Sequence, residues 1–397
     1  MDEGGRWLAA GLVLAVLVHI PGLSAGPVAD DPLRFAETLT DLSTALEWVY
    51  RPFPDTPGPL PDSFSPKLYR PVWRLSYWLD GRLFSGMFGG PFPLLGPRLL
   101  SLGLHLLLVL GVARLVARWD ARVAPLAAAL VAVHPLMVSP VAWVSARGGL
   151  LVAVCLVWSA WAAERRRWGL LGALLLLALG SKETALVAPG LLFLWTRDRR
   201  VLAASTALTA GVLLVRWRVL GTPLGGFSDL PVLGSADWLS RLLGHLKLWI
   251  CGVPGGWSVL VSGLCIGVFV VRGLRGRARL LLPWAVLALL PHHRLFADPD
   301  TGLHARFLSD ATIPLCVALA FGLRTVPLRF RALTTGLVLV ALAGASLDRV
   351  LVWRAAAGLV DKARQEGTVP DLPDVYEGVS VRANLLPALS EPPWRSD

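Results

Sequence analysis

The chain has 397 residues, 55% of them hydrophobic and only 16% charged, with a mean hydropathy of +0.60. Apolar runs recur along almost its whole length, and several reach the roughly 20 residues that a spanning helix needs, which excludes a soluble domain. The formal net charge of +11 is carried in short basic clusters between those runs, the pattern that encodes membrane topology and argues against a nucleic-acid-binding surface.

In chain order, the first apolar run (7–23) reads as a retained first helix rather than a cleaved signal. Its only basic flank is Arg6, which Asp2 and Glu3 oppose. A long loop, 25–97, follows, Pro-rich in RPFPDTPGPLPD (51–62) and amphipathic over 32–50. Five short segments are rich in arginine: 114–122, 165–167, 197–200, 272–279 and 324–331. The positive-inside rule puts all five on the cytoplasmic side. Residues 123–164 then form an out-and-back hairpin turning near 134–140. A second turns at the polar HHRLFADPDTGLHAR (292–306).

Between two basic clusters, 168–196 should also leave and return, since the alternative, a single long tilted helix, would put one arginine cluster on the wrong side. Each arm is only about 18 Å of helix against a hydrocarbon core of about 30 Å. The hairpin therefore places Ser181, Lys182 and Glu183 below the outer surface, tolerable only beside protein or a water-filled cavity. The segment WLSRLLGHLKLWICGV (238–253) reads as interfacial because of Arg241, His245 and Lys247. The expectation is an all-α polytopic membrane protein with about 11 transmembrane helices, its N-terminus inside and its C-terminus outside. Residues 1–347 form the membrane domain with the outer loop 25–97, and 348–397 a short extracytoplasmic tail.

Few residues can do chemistry. Asp30 and Asp31 follow the first helix directly, close to the outer surface. Adjacent carboxylates point in different directions, so one can act as a general base while the other positions it; the same DDP is also a normal helix cap. Lys182 and Glu183 are costly at membrane depth unless they serve a site or each other. A lysine there suits a lipid phosphate. Arg147 begins a helix at the same side and Arg306 ends the second outer turn, so three cations could converge on one anion. The histidines show no metal-ligand spacing, and the four cysteines (Cys155, Cys251, Cys265, Cys316) read as buried hydrophobes. No metal is expected. A Gly-rich phosphate loop is absent, so a donor substrate is expected to arrive through the membrane.

The early DD, then YRPVWRLSYWLDGRLF (69–84), HPLMVSPVAWVSARGGLL (134–151), LGSKETALVAPGLLFL (179–194) and HARFLSDATIPLCVALA (304–320) fall in a familiar order. Together they resemble the membrane domain of the transmembrane and tetratricopeptide-repeat O-mannosyltransferases, in the GT-C glycosyltransferase superfamily. The tail here is too short for the repeats. The resemblance implies a GT-C-type fold and an inverting sugar transfer, mannose-like or another hexose, from a polyprenyl-phosphate carrier to a protein or glycan hydroxyl. By that likeness Asp30 is the base, with Asp31 beside it. Lys182, Arg147, Arg306, Glu183 and Ser181 meet the donor, and Tyr69, Arg70, His134 and Trp143 line the substrate pocket. The lipid-linked sugar is a substrate, and no cofactor is implied. The implied setting is a bacterial inner membrane with the site facing outward. Where the family has HPVHTE, this chain has Met137 and Ser139, and an acid after the arginine is replaced by Gly149. A lipid-linked-sugar transporter and a non-catalytic scaffold of the same fold are the alternatives.

Overall fold

A backbone in hydrocarbon must satisfy its own polar groups, so the apolar runs become helices. The computed structural model describes residues 3–28, 31, 40–51, 68–88, 93–223, 269–289, 309–368, 373, 375–376 and 379–381. Asp30, Arg306 and the 238–253 segment lie outside the described residues.

The helices are α1 (Glu3–Leu23), α2 (Leu42–Glu47), α3 (Pro71–Phe88), α4 (Leu95–Val116) and α5 (Ala124–Ala132). After α6 (Val138–Ala142) come α7 (Arg147–Glu164), α8 (Trp168–Ser181), α9 (Ala188–Thr196) and α10 (Arg199–Leu220). The series ends with α11 (Leu281–Leu289), α12 (Ser309–Leu323) and α13 (Leu328–Glu366). Among the described residues five helices are long and apolar enough to cross a membrane. There are six if α5 and the segment after it, bent by 60°, form one broken span. Four more apolar helices are shorter. The protein is thus a multi-pass helical membrane protein, and the expected total of about 11 spans is a count over the whole chain.

One end of the bundle gathers the arginine clusters. Arg118 pairs with Glu164 at 3.3 Å, Trp119 stacks on Trp195 at 4.3 Å, and Trp195 meets Trp284 edge-on at 5.8 Å. Tight turns at Arg166 and Arg197, both with positive φ, reverse the chain there. Gly273 and Gly322 bring the last two clusters together, since a side chain on either would run into the other helix's backbone at Ala318 or Phe269.

The 168–196 segment accordingly goes out and returns. Lys182 breaks it with extended backbone (φ −164°, ψ 150°), followed by a 3-10 turn at Glu183–Val187. The arms take different neighbours: α8 packs on α7 and α3, and α9 on α10 and α11.

The last helix runs unbroken through the expected boundary at 347/348. At 39 residues it is roughly 58 Å long, about twice the hydrocarbon thickness. Its later half packs back on α1 and on the turns after α5, with Ser346 Oγ donating to Val133 O at 2.8 Å and Trp353 against Trp143 at 5.8 Å. A two-residue ladder, Val375–Tyr376 with Val379–Ser380, is the only strand pairing among the described residues.

Candidate active site

At the end opposite the arginine clusters, the starts of α3, α4 and α7 meet the ends of α1, α8 and α10. Arg70, immediately before α3, and Trp73, Tyr77 and Asp80 on it recur at helical spacing and so fall on one side of the helix. Trp73, Tyr77 and Asp80 are buried.

Arg147, fully buried, spends its donors inside the protein. Its Nη1 reaches Asp80 at 2.6 Å and Nη2 donates to Pro97 O at 2.8 Å. Its Nε donates to Ser101 Oγ at 3.1 Å, and its guanidinium lies 5.5 Å from the Tyr77 ring. This arginine therefore ties α7 to α3 and α4, with its charge answered by Asp80, rather than facing outward as an anion ligand.

Glu183 is held by two arginines distant in the chain, Arg70 just before α3 and Arg216 on α10, and not by its neighbour Lys182. Arg70 grips it in a two-pronged pair at 2.6 to 3.1 Å, and Arg216 on α10 reaches it at 3.4 Å. Arg216, itself buried, also donates to Tyr69 O at 2.8 Å. Among the described residues, two arginines share the Glu183 carboxylate, and Lys182 is adjacent to it in the chain. Lys182 Nζ lies beside the start of α7: a Cβ at Gly149 would be 3.7 Å from it. The neighbouring Gly148 leaves room for Ser181 O and the Trp73 ring.

Asp31 is buried and held through both carboxylate oxygens. Its Oδ1 accepts from Ser145 N at 3.2 Å and Ser145 Oγ at 3.5 Å, and Oδ2 accepts from Val28 N at 3.4 Å. Ser145 precedes Arg147 by two residues, and Gly149 follows it by two. The carboxylate of Asp31 and the amine of Lys182 thus flank one stretch of backbone, Ser145 to Gly149, on the order of 10 Å apart by helical rise and side-chain reach.

The other predicted pocket residues have mainly structural partners. Tyr69 donates its hydroxyl to Val49 O at 2.5 Å. Buried His134 caps the turn at Pro135–Met137, accepting from Leu136 N at 3.3 Å. Trp143 is buried against Trp353. Ser181 Oγ donates to Leu177 O at 2.6 Å in its own helix. Sequence reasoning missed Arg98, Arg216, Asp80 and Ser145. Of these Asp80 was findable, as an acid on the inner stripe of α3.

No family model and no curated protein matches the chain. Among solved structures it is similar to the crystal structure of the Archaeoglobus fulgidus oligosaccharyltransferase tethered with an acceptor peptide containing the NVT sequon. The TM-score is 0.54 at 13% identity, over 96% of this chain and 60% of that one. At that identity the likeness is one of fold. The chain spans about 60% of the length of that neighbour.

Proposed function

We propose that the protein transfers a sugar from a polyprenyl-phosphate carrier to an acceptor hydroxyl at the end of the bundle that carries Asp31 and Lys182. The observation that carries this reading is the pairing of an acidic loop with a cation-rich break in a helix hairpin, both held against Ser145 to Gly149. Asp31, occupied through both oxygens, takes the positioning part. Asp30 takes the part of the base, as the family resemblance implies.

In the reaction, Asp30 removes the acceptor proton as the oxygen attacks the anomeric carbon. The bond from that carbon to the phosphate oxygen breaks, with inversion, and the polyprenyl phosphate leaves as an anion. Lys182, with Arg70 and Arg216 behind Glu183, supplies the positive field for it, and such a field acts most strongly where water is excluded. Arg147 holds the frame. Arg306 remains a proposed donor contact on sequence grounds. The acceptor is a protein or glycan hydroxyl, and the site faces outward across a bacterial inner membrane.

The direct test is whether membranes containing the protein consume a polyprenyl-phosphate sugar, and which one. Lys182→Met, which keeps the stem and removes the charge, is expected to raise donor KM and lower kcat by about 10²-fold, with the protein inserted at its normal level. Loss of the protein from the membrane, with no kinetic change in what remains, would assign the lysine to structure. For sidedness, single cysteines at Ser63 and Ser380 in a cysteine-free background should both react with an impermeant thiol reagent in intact cells. Protection of both would move the chemistry to the cytoplasm.

A further inference from the structure

The half-buried Asp361 has no part in the mechanism above, yet it lies against the acidic loop. It sits on the later half of α13, where buried Val360 and Ala357 seat that helix on the bundle. Its carboxylate closes on Gly26: a Cβ there would meet Oδ2 at 2.6 Å and Oδ1 at 3.0 Å. Gly26 is thus small because an acid occupies the space beside it.

The same glycine is held from the other side by Arg98, in the first turn of α4. Arg98 is buried, and its three nitrogens are aimed at backbone. Nη2 donates to Gly26 O at 2.9 Å, Nη1 to Ala25 O, and Nε to Ala142 O at 2.9 Å. Three carbonyl dipoles do not neutralise a buried guanidinium, whose charge needs an anion nearby. The charges of Asp31 and Asp361 both act on it. Arg364, one turn further along α13, is the other cation acting on Asp361.

We infer that Asp361 is a positioning residue: it stands against Gly26 while Arg98 holds the carbonyls of Ala25 and Gly26, and together they fix the loop backbone that leads to the acidic pair. The extension of the last helix is then one wall of the site rather than a tail. Removing the Asp361 charge leaves the buried Arg98 with less negative charge nearby, and the loop loosens where Asp31 grips Val28 and Ser145.

This inference rests on the proposed transfer reaction for its catalytic consequence, but the latch itself is read without activity. Amide hydrogen exchange at Val28 and Ser145, the two backbone donors to Asp31, is measured in the full-length protein in lipid nanodiscs. Asp361→Asn, which keeps shape and removes charge, should raise exchange at both amides about tenfold, as local opening does. Transfer by the same variant should lose about tenfold in kcat with donor KM within about twofold, the mark of a misplaced acid rather than a lost ligand. The exposed Glu366→Gln should change neither.

Gly26→Ala displaces the carboxylate and should behave like Asp361→Asn. Adding Asp361→Ala to it makes room without restoring charge, and so should not recover the rate. Unchanged exchange at both amides in Asp361→Asn overturns the inference, as does unchanged kcat with raised exchange. Full recovery in the Gly26→Ala/Asp361→Ala pair overturns it too, since the contact is then only packing. If the wild type turns over no polyprenyl-phosphate sugar, the proposed reaction fails while the exchange comparison still decides the latch.

Discussion

Asp30→Asn is expected to abolish most turnover while donor binding persists. An acceptor hydroxyl is a poor nucleophile at neutral pH, and a positioned base contributes roughly 10²–10⁴-fold. Asparagine keeps the size and hydrogen bonding of the side chain and removes only the proton acceptor. Asp31→Asn should fall in the same direction by a smaller factor. Its amide oxygen can still accept from Ser145 N, but the charge facing Arg98 is gone. Glu183 is no rival base, because Arg70 and Arg216 already hold its carboxylate. The measurement is a transfer assay beside donor binding on the same purified variants. Full activity in both single variants and in the double variant would leave DDP as a helix cap and remove the mechanism.

The largest expected effect on stability belongs to the buried pair of Arg147 and Asp80. Both side chains are essentially inaccessible and 2.6 Å apart. Asp80→Ala strands a guanidinium in the protein interior and should cost about 3–5 kcal/mol, enough to deplete folded protein from the membrane. Replacing both partners by apolar groups, Arg147→Met with Asp80→Leu, removes the stranded charge and should restore most of that loss. The double variant also separates two roles for Arg147. If the residue only frames the site, the rescued protein transfers sugar at a rate within about tenfold of wild type. If it meets the donor phosphate, the double variant folds and stays inactive. Folded yield by size exclusion and the transfer rate, read on one preparation, decide between them.

Much of the architecture is legible in the residues alone, for local reasons. Apolar runs fold as helices because hydrocarbon offers no other partner for the backbone. The arginine clusters come together at one end because spans alternate between two aqueous faces. The basic clusters flanking 168–196 favour a hairpin with its polar break at the opposite end over a single tilted helix, and the chain does break at Lys182. The face of α3 carrying Trp73, Tyr77 and Asp80, with Arg70 just before it, follows from spacing.

What the residues do not specify is which charge meets which. Glu183 follows Lys182 in the chain, yet its partners are Arg70, 113 residues before it, and Arg216, 33 after. Arg147 faces Asp80 across 67 residues, and Asp31 finds Ser145 across 114. Asp361 reaches Gly26 from the far end of the chain only because α13 runs on as helix past the point where its apolar stretch ends. Helical periodicity relates residues three or four apart and says nothing about the neighbouring helix. In a bundle the partner of a buried charge is chosen by the packing of other helices around it. The sequence by itself determined the helices, their two ends and where the costly charges would lie; the tertiary structure alone decided their pairing, because only it brings distant segments within ion-pair distance inside a medium where an unanswered charge is expensive.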